Sequence, residues 1–428
     1  MRSPLHIIIL GIWLSATLTS CLKDHCDAVI RYVAMDPIYV TEKQFRSNDL
    51  QWMAAQPLKN PGKIYFYNNY LLINELREGI HFYDNSDPRS PVQIGYLAIP
   101  GNVDMAIKDQ VLMADSYVDL LFINITDLSN PKLVTRMPEV YTLYGKTSTG
   151  AYLVGYVPNE IEEFTTCDNA NAGQPWLLQN NRVFVDFAVF DAVPQNGSKV
   201  DAALQAVGIG GSMARFTIAA DRLYAVDHAN LYTFNISDVL HPSQTNSMPI
   251  GWDIETIFPY DHYLFVGSQS GMHIYDRQNA DQPAYLSSYQ HMTACDPVFI
   301  DGNTAYVTLR DGSTCENFSN QLDVVDLSNI YAPYLVISYP MEHPHGLSKS
   351  EDDLFICEGD AGLKVFDASD RLKIGDRLLA HAKGFNAFDI ITLSNDLALI
   401  IGSDGFYQYD ISNPEKIKQI SHIPVQPE

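Results

Sequence analysis

Residues 353–370, DLFICEGDAGLKVFDASD, contain the local pattern from which the fold is predicted. Apolar, β-branched and aromatic residues are concentrated at 354–357 and again at 363–367, which predicts two short strands. A glycine-containing connection at 358–362 joins them, and the polar residues after Asp367 predict a turn. The stretch is therefore expected to form an antiparallel strand pair that ends in a polar turn.

The pentamer at 363–367, LKVFD, recurs along the chain in recognisable form. Each copy is rich in strand-forming residues, ends in Asp or Asn, and is usually followed by a turn sequence such as NSDP at 85–88. Another apolar run lies upstream of most copies and a further strand-like run follows the turn, so each unit is predicted to contain three or four short antiparallel strands. The other copies are IHFYD (80–84), LLFIN (120–124), LYTFN (231–235), MHIYD (272–276), LDVVD (322–326) and FYQYD (406–410).

The spacing of the pentamers predicts the number of units. Most are 40 to 50 residues apart, but Asn124 and Asn235 are separated by 111 residues, which is too far for one unit. The sequence FAVFD at 187–191 fits the pattern and divides this gap into 67 and 44 residues. We therefore expect eight units, with an insertion at about 157–181 in the third and a shorter one at 310–321 in the sixth. Because the third unit departs most from the pattern, seven units are the alternative.

Units of about 42 residues with four strands are typical of β-propeller blades. The pentamers and their turns resemble the LVIVD-repeat family of β-propellers, and the resemblance covers about residues 62–425. It implies an all-β propeller of four-stranded antiparallel blades at 61–428, and it implies no established reaction. A β-helix is the other architecture considered, but its units are shorter and contain fewer hairpins than this sequence predicts. Each terminal blade is expected to be complete, so that ring closure rests on side-chain packing unless residues 30–40 add a strand.

The first residues predict export. Arg2 precedes an apolar segment at 5–18, and small residues follow before Cys21, as in a secretory signal. The sequence LTSC at 18–21 resembles the lipobox of bacterial lipoproteins. This resemblance implies removal of residues 1–20 and acylation of Cys21, which would anchor the chain to a membrane through a tether at 21–60. Lys23 and Asp24 resemble the surface-export signal of some Bacteroidetes lipoproteins, so we expect an outer-membrane lipoprotein at the cell envelope, with exposure at the cell surface.

Composition narrows the classes of partner. Asp and Glu number 51 against 27 Lys and Arg, which gives a formal net charge of −24. A negative field of that size repels phosphate backbones, so nucleic acid is not an expected partner. An envelope protein or a glycan is the expected partner, and a divalent cation could bind at an acidic site.

The residues that open the innermost strand of each blade should surround the mouth of the central channel. Convergent polar groups at the mouth of a closed β-structure are the default location of a binding site. An acidic ring with one Arg and one His would suit a cation, a sugar or a basic peptide, although a water-filled channel also has polar walls. The candidate residues are Asp104, Arg215, Glu255, Asp296, His345 and Asp389, and the loops after the second strands add Asp115, Asp227, His228, Asp311, Glu358, Asp360 and Asp404.

The cysteines suggest one disulfide. Cys295 precedes an inner strand and Cys315 lies in an insertion that returns to the same face, so the two are expected to pair. This bond would close a loop of about 20 residues and stabilise the chain by roughly 3 kcal/mol in the chain-entropy model. Cys357 is the competing partner, and no cysteine spacing matches a metal motif.

Three functions are consistent with the sequence. The first is a ligand- or protein-binding scaffold without catalysis. The second is an envelope hydrolase or lyase that uses channel-mouth carboxylates and His345, since carboxylates beside an imidazole can perform acid–base catalysis. The third is a component of a surface assembly that contacts its partners through residues 157–181. The sequence contains no phosphate loop, zinc-protease motif or nucleophile elbow, and no catalytic or metal-binding residue is assigned.

Overall fold

The computed structural model describes residues 27–46, 50–141, 145–166, 207–210, 214–251, 254–268, 271–290, 297–310 and 320–426. In these ranges the chain is all-β except for one short helix and one 3-10 turn at Ile374–Asp376. None of the helical residues in these ranges forms a segment long and apolar enough to cross a membrane. The described residues fall into two compact units, one containing residues 27–38 and 155–166 and the other containing the remaining described residues.

The first two blades are preceded by three elements and followed by two further strands. Before the first blade lie β1 (Asp27–Val40), α1 (Glu42–Arg46) and β2 (Gln51–Met53). Blades 1 and 2 contain β3 (Pro61–Tyr67), β4 (Tyr70–Glu75), β5 (Gly79–Asp84), β6 (Val92–Ala98), β7 (Met105–Lys108), β8 (Val111–Ser116), β9 (Asp119–Asn124) and β10 (Lys132–Met137). Between blades 2 and 3 lie β11 (Tyr152–Thr166) and β12 (Ile209–Gly210).

The remaining strands form five further blades. Blades 3 and 4 contain β13 (Phe216–Ala219), β14 (Arg222–Val226), β15 (Asn230–Asn235), β16 (Ser243–Pro249), β17 (Ile254–Tyr260), β18 (Tyr263–Ser268), β19 (Gly271–Asp276) and β20 (Ala284–Gln290). Blades 5 and 6 contain β21 (Val298–Asp301), β22 (Thr304–Leu309), β23 (Gln321–Asp326), β24 (Tyr334–Pro340), β25 (Leu347–Ser350), β26 (Asp353–Cys357), β27 (Leu363–Asp367) and β28 (Leu378–Ala382). Blade 7 contains β29 (Asp389–Ser394), β30 (Leu397–Gly402), β31 (Gly405–Asp410) and β32 (Lys418–Pro424).

The fold of these residues is a seven-bladed β-propeller. Each blade is a four-stranded antiparallel meander, and blade 1 gains β12 at its inner edge and β2 at its outer edge. The first strand of each blade contacts the first strand of the next from β3 to β29, and β30 contacts β3, so the ring is closed. The prediction of four antiparallel strands per blade is confirmed.

The recurring pentamers are the third strands of the blades. In all seven described copies, the terminal Asp or Asn accepts a hydrogen bond from the backbone N–H two residues later, as Asp84 does from Ser86 at 2.9 Å. A second Asp or Asn three residues further on repeats this turn in every blade, as Asp87 does with Arg89 at 3.0 Å. Side chains of this type end a strand because they bond the neighbouring backbone in place of the sheet.

The expectation of eight blades is wrong. In the described residues, blade 2 is followed directly by blade 3, because Oδ2 of Asp104 accepts hydrogen bonds from the backbone N–H groups of Arg215 at 2.7 Å and Phe216 at 3.1 Å. That contact joins the openings of the two inner strands and leaves no place for a blade between them. The FAVFD sequence at 187–191, which suggested the extra unit, lies outside the described residues.

The segments between blades 2 and 3 have other partners. Strand β11 pairs with β1 in a two-stranded sheet, in which the Asn159 amide donates to Asp36 at 2.9 Å, so residues 30–40 add no strand to a blade. Strand β12 pairs with β3, and Val207 forms a bridge to Lys108 at the end of the inner strand of blade 2. A side chain at Gly208 would place its Cβ 2.3 Å from the Tyr65 ring, so only glycine allows this close approach.

Ring closure between blades 7 and 1 depends on packing and on one amide pair. Leu58, Ile64 and Ile73 of the first blade region form a buried cluster with residues of blade 7 such as Phe406. The buried Gln408 donates from Nε2 to Oδ1 of Asn85 at 2.8 Å and to the Pro88 carbonyl at 2.9 Å. Pro88 comes four residues after the end of its pentamer. At three other interfaces the backbone carbonyl at this position accepts a hydrogen bond from a hydroxyl of the preceding blade, donated by Tyr224, Ser287 or Tyr339. Closure therefore uses a contact that recurs between other blades.

The segment before blade 1 is held by a buried ion pair. The guanidinium of Arg46 makes two hydrogen bonds to Asp119, at 2.7 and 2.6 Å, and the carboxylate is completely buried. Arg136 donates to the same carboxylate at 3.0 Å. The neighbouring Phe45 packs edge-on against Tyr117 and Tyr152. If α1 moved away, Asp119 would lose the Arg46 guanidinium and keep a buried charge that is less well paired, which is costly. The ion pair therefore fixes α1 against blade 2.

Candidate functional site

We call the loops that precede the first strands and follow the second strands the rim, because antiparallel pairing brings them to one end of each blade. In the described part of the chain, three of the six candidate residues lie in rim loops: Asp104, Arg215 and His345. Glu255 and Asp389 lie at the start of the adjoining first strands, β17 and β29. Arg215 is partly exposed and the other four are buried. Asp296, Cys295, Cys315 and Cys21 lie outside the described residues.

Asp104 joins two blades through its carboxylate. Oδ1 accepts from the Met105 N–H at 2.7 Å, and Oδ2 holds the backbone of blade 3 at Arg215 and Phe216. Burial raises the pKa of Asp104, although the nearby Lys63 charge and these N–H donors oppose the rise. Both oxygens are thus committed to the frame of the rim.

Asp115, at the end of the second strand of blade 2, holds the rim loop of the same blade. Its Oδ1 accepts from the N–H groups of Val103 at 2.7 Å and Asp104 at 3.0 Å, and from the Asn102 amide at 2.8 Å. Its side chain is only partly buried. Burial raises the pKa of Asp115 to about 7, and the negative charge of Asp104 adds to the rise, while the N–H donors and Arg215 oppose it. Asp115 is therefore a rim carboxyl group that titrates near neutral pH.

Two glutamates play the same part in blades 1 and 6. Glu75 accepts from the N–H groups of Lys59 at 3.0 Å and Asn60 at 2.5 Å, and it contacts Nε2 of His81 at 2.8 Å. Glu358 accepts from the N–H groups of Glu342 and His343 at 2.8 and 2.7 Å, and it is paired with Lys364 at 3.2 Å. Each glutamate ends or follows a second strand, and its basic partner, His81 or Lys364, comes six residues later on the third strand. Both glutamates end a similar apolar segment, LLINE at 71–75 and LFICE at 354–358. This similarity could have identified Glu75 as a rim residue, but Glu75 was not among the candidates.

Further rim carboxylates are used in the same way. Asp404 accepts from the Asn386 N–H at 2.9 Å, and Asp360 accepts from the Asn386 amide at 2.7 Å. Asp227 accepts from the N–H groups of Ala229 and Asn230 and from the Tyr232 hydroxyl at 2.6 Å. The rim carboxylates therefore serve mainly as acceptors that organise the backbone.

His345 is the middle of a chain of three cationic or basic side chains. Nη1 of Arg310 lies 2.9 Å from Nδ1 of His345, and Nε2 of His345 lies 3.2 Å from Nδ1 of His343. Since a guanidinium only donates, His345 accepts at Nδ1 and carries its proton on Nε2, which donates to His343. Burial lowers the pKa of His345 far below its usual range, and the positive charge of Arg310 adds to this effect. The imidazole is therefore neutral at physiological pH.

Cys357 is the free cysteine among the described residues, and its thiol is buried. Burial raises the pKa of this thiol far above its usual range, and the carboxylates of Asp389 and Glu358 raise it further. A thiol in this environment stays protonated and is a poor nucleophile. In the described ranges, no group of three His, Cys, Asp or Glu side chains is arranged to hold a metal ion.

Tyr141, between blades 2 and 3, is a polar residue that the sequence analysis did not identify. Its ring is stacked on Phe216 with centroids 6.0 Å apart and meets Tyr232 edge-on at 5.4 Å. Its hydroxyl is buried and has no hydrogen-bond partner among the residues that the structure describes. Burial raises the pKa of Tyr141 well above its usual value, and among the nearby charges Asp115 has the largest effect. A tyrosine outside the repeated strands gives no sequence signal for this position.

Comparison with known proteins supports the fold only. No protein-family profile matches the chain, and no curated protein matches it. The computationally designed Ika8 protein is similar in structure over 88% of this chain and 91% of its own, with 10% sequence identity and a TM-score of 0.50. A functionally unknown protein from Desulfotomaculum acetoxidans DSM 771 covers 86% of this chain and all of its own at 14% identity, with a TM-score of 0.49. Saccharomyces cerevisiae Sqt1 is similar over 88% of this chain and 99% of its own, with 12% sequence identity and a TM-score of 0.48.

Proposed function

We propose that this protein is a lipid-anchored binding or scaffolding β-propeller of the LVIVD-repeat type at a bacterial cell envelope. The observation that carries the proposal is the use of the rim carboxylates: Asp104, Asp115, Glu75 and Glu358 each hold two or more backbone N–H groups. Groups committed in this way fix the backbone of the rim loops, and a rigid frame of this kind favours binding over acid–base turnover. The ligand is a glycan, a basic peptide or another envelope protein.

The proposed anchor is Cys21, supported by the signal-like residues before it and the lipobox-like LTSC sequence. Substitution Cys21→Ser is expected to move the protein from the membrane fraction to the aqueous fraction of the cell, whereas Cys26→Ser leaves it in the membrane fraction. Immunoblotting of the two fractions measures this. Retention of the Cys21→Ser protein in the membrane would contradict the proposed anchor.

Thermal melting of the full chain in detergent tests the binding function. The probes are neutral saccharides, a basic peptide and divalent cations, each tested separately. A ligand that binds only the folded state stabilises it by about 2.7 kcal/mol when present at a hundredfold excess over its dissociation constant. A raised midpoint with at least one probe class is expected. If no class raises the midpoint, the rim is not a binding surface for these ligands, and the binding proposal fails in favour of an assembly role for residues 157–181.

A second candidate is an envelope hydrolase or lyase. The observation in its favour is that the pKa of Asp115 is about 7, close to the value that suits a general acid or base at neutral pH. His345 is a poor participant because it is buried and its pKa is lowered far below neutral. Turnover of envelope polysaccharide that is lost in Asp115→Asn, with the melting midpoint retained, would support this function. Absence of turnover in the unmodified protein would exclude it.

A further inference from the structure

The outer edges of the blades differ in what covers them. A blade ends at its fourth strand, and the free side of such a strand presents backbone N–H and C=O groups that can pair with another strand. In blade 1 this side is covered, because β2 pairs antiparallel with β6, with Gln51 opposite Ala98 and Met53 opposite Tyr96. Within the described ranges, the fourth strands of the other six blades pair on one side only. The outer edge of a blade in this protein is therefore able to take a fifth strand.

Among the six edges that no described strand covers, β24 of blade 5 is the most apolar. Natural proteins protect exposed edges with charged residues, especially lysine. Strands β10 and β32 begin with Lys132 and Lys418, β16 (SQTNSMP) and β20 (AYLSSYQ) are more polar, and β28 has only five residues. Strand β24 (YLVISYP) has no charged residue, and five of its seven residues are Tyr, Leu, Val or Ile, which favour strands. It is therefore the least protected of these edges.

Exposed apolar side chains surround the start of β24. The exposed fractions are 56% for Tyr334, 44% for Leu335, 70% for Tyr331 and 57% for Leu372. The turn that contains Leu372 packs on β24, since the Tyr339 hydroxyl donates to the Arg371 carbonyl at 2.9 Å. We call β24 with Tyr331 and Leu372 the blade 5 edge. It begins at the end of the blades opposite the rim, and every turn at that end lies within the described ranges.

The charged groups beside the blade 5 edge are paired within the chain. The pairs are Arg371 with Asp326 at 2.6 Å, Arg377 with Asp367 at 2.9 Å and Lys373 with Asp370 at 3.0 Å. These pairs leave the surroundings of the edge close to neutral, although the whole chain has a formal net charge of −24. A neutral, apolar partner therefore fits this surface better than a basic peptide does.

We propose that β24 pairs antiparallel with β24 of a second copy of this chain, which makes the protein a two-fold homodimer. In a two-fold contact both copies contribute the same surface, and a strand without charges places no like charges opposite each other when it pairs with itself. The four apolar side chains expose on the order of 400 Å², about half of the roughly 800 Å² that each partner buries in a standard interface. The backbone side of β24 and the adjoining turns supply the rest. This inference goes beyond the binding function proposed above and does not depend on it.

The geometry and the charge of such a dimer have consequences. Antiparallel pairing turns the two propellers in opposite directions, so their rims face away from each other and one binding surface lies on each side. The negative charge of each copy opposes association, and salt screens this repulsion. The affinity of the dimer is therefore expected to rise with ionic strength, whereas the affinity for a basic partner would fall.

The test is size-exclusion chromatography with light scattering, applied to the full chain in detergent at several protein and salt concentrations. The expected protein mass is that of a pair of chains, with more dimer at high ionic strength. Leu335→Lys is expected to raise the dissociation constant by about tenfold or more, because like charges then lie close together across the two-fold axis. The position is exposed, so this variant is expected to fold, which its circular dichroism checks.

Leu133→Lys is the matched control. Leu133 is 45% exposed and lies opposite Ile123 on β10, as Leu335 lies opposite Val325 on β24. Its substitution is expected to leave the dimer unchanged. Amide hydrogen exchange locates the contact, because the amides of β24 should exchange more slowly as protein concentration rises and those of β10 should not.

Four results would overturn the homodimer. The first three are the mass of a single chain at every protein and salt concentration, equal effects of Leu335→Lys and Leu133→Lys on the dimer, and a dimer that salt weakens. The fourth is protection of the β24 amides that does not change with protein concentration. That result would show that another segment of the same chain covers the edge.

Discussion

Asp115 combines a structural contact with an ionisation near neutral pH. Its pKa is raised to about 7 by burial, whereas an unfolded Asp titrates near pH 4. The folded state therefore binds a proton more tightly, and stability falls as pH rises from about 4 to about 7, by on the order of 2–4 kcal/mol for this group. Urea unfolding at pH 5 and pH 8 is expected to show Asp115→Asn gaining stability relative to the unsubstituted protein at the higher pH.

Asp127 provides the matched control for this measurement. It is exposed, and hydrogen bonds from Ser129 lower its pKa, so Asp127→Asn is expected to show no relative change between pH 5 and pH 8. An Asp115→Asn difference that is the same at both pH values would contradict the raised pKa of Asp115.

His345 is expected to show the opposite dependence. Its pKa is lowered by burial, so the unfolded chain takes up a proton below about pH 6.5 while the folded chain resists it. The protein should therefore lose about 2 kcal/mol of stability relative to His345→Gln when the pH falls from 7 to 5. Urea midpoints at the two pH values measure this. Equal changes of the urea midpoint between the two pH values in the unsubstituted protein and in His345→Gln would refute the assignment.

At the level of elements, the turn after each pentamer also serves the neighbouring blade. Gln408→Ala removes the donors to Asn85 and to the Pro88 carbonyl, and it leaves these buried groups without partners. We expect the free energy of unfolding to fall by about 2–3 kcal/mol in urea denaturation. Gln419→Ala, on the exposed outer strand of the same blade, should change it by less than about 0.5 kcal/mol. Equal effects of the two substitutions would show that the amide pair does not close the ring.

The strands could be predicted because their signals are local. Each described pentamer is a third strand, and the Asp or Asn at its end forms the turn that its short polar side chain favours. The number of blades could not be predicted in this way. FAVFD at 187–191 has the composition of a pentamer, but blade order is decided by a contact between distant residues, Asp104 and Phe216. The same limit applies to the Arg46–Asp119 pair, whose partners are 73 residues apart.

For the rim residues, the sequence predicts location but not chemistry. The location of Asp104, His345 and Asp389 near the openings of inner strands could be predicted from strand order. Their chemistry could not, because it depends on burial and on the partners of each oxygen or nitrogen. Tyr141 could not be predicted either, because its distinguishing feature is a buried hydroxyl without a hydrogen-bond partner among the described residues.

Across the whole molecule, the central claim is that the rim is a rigid frame held by buried carboxylates. Amide hydrogen exchange of the full chain, measured by mass spectrometry, tests it most directly. The amides of Val103, Asp104, Phe216 and His343 are bound by Asp115, Asp104 and Glu358, so they should exchange as slowly as strand amides although they lie in or next to loops. Exchange as fast as that of the exposed turn at Ser86 would contradict the claim, because the carboxylates would then not hold the rim.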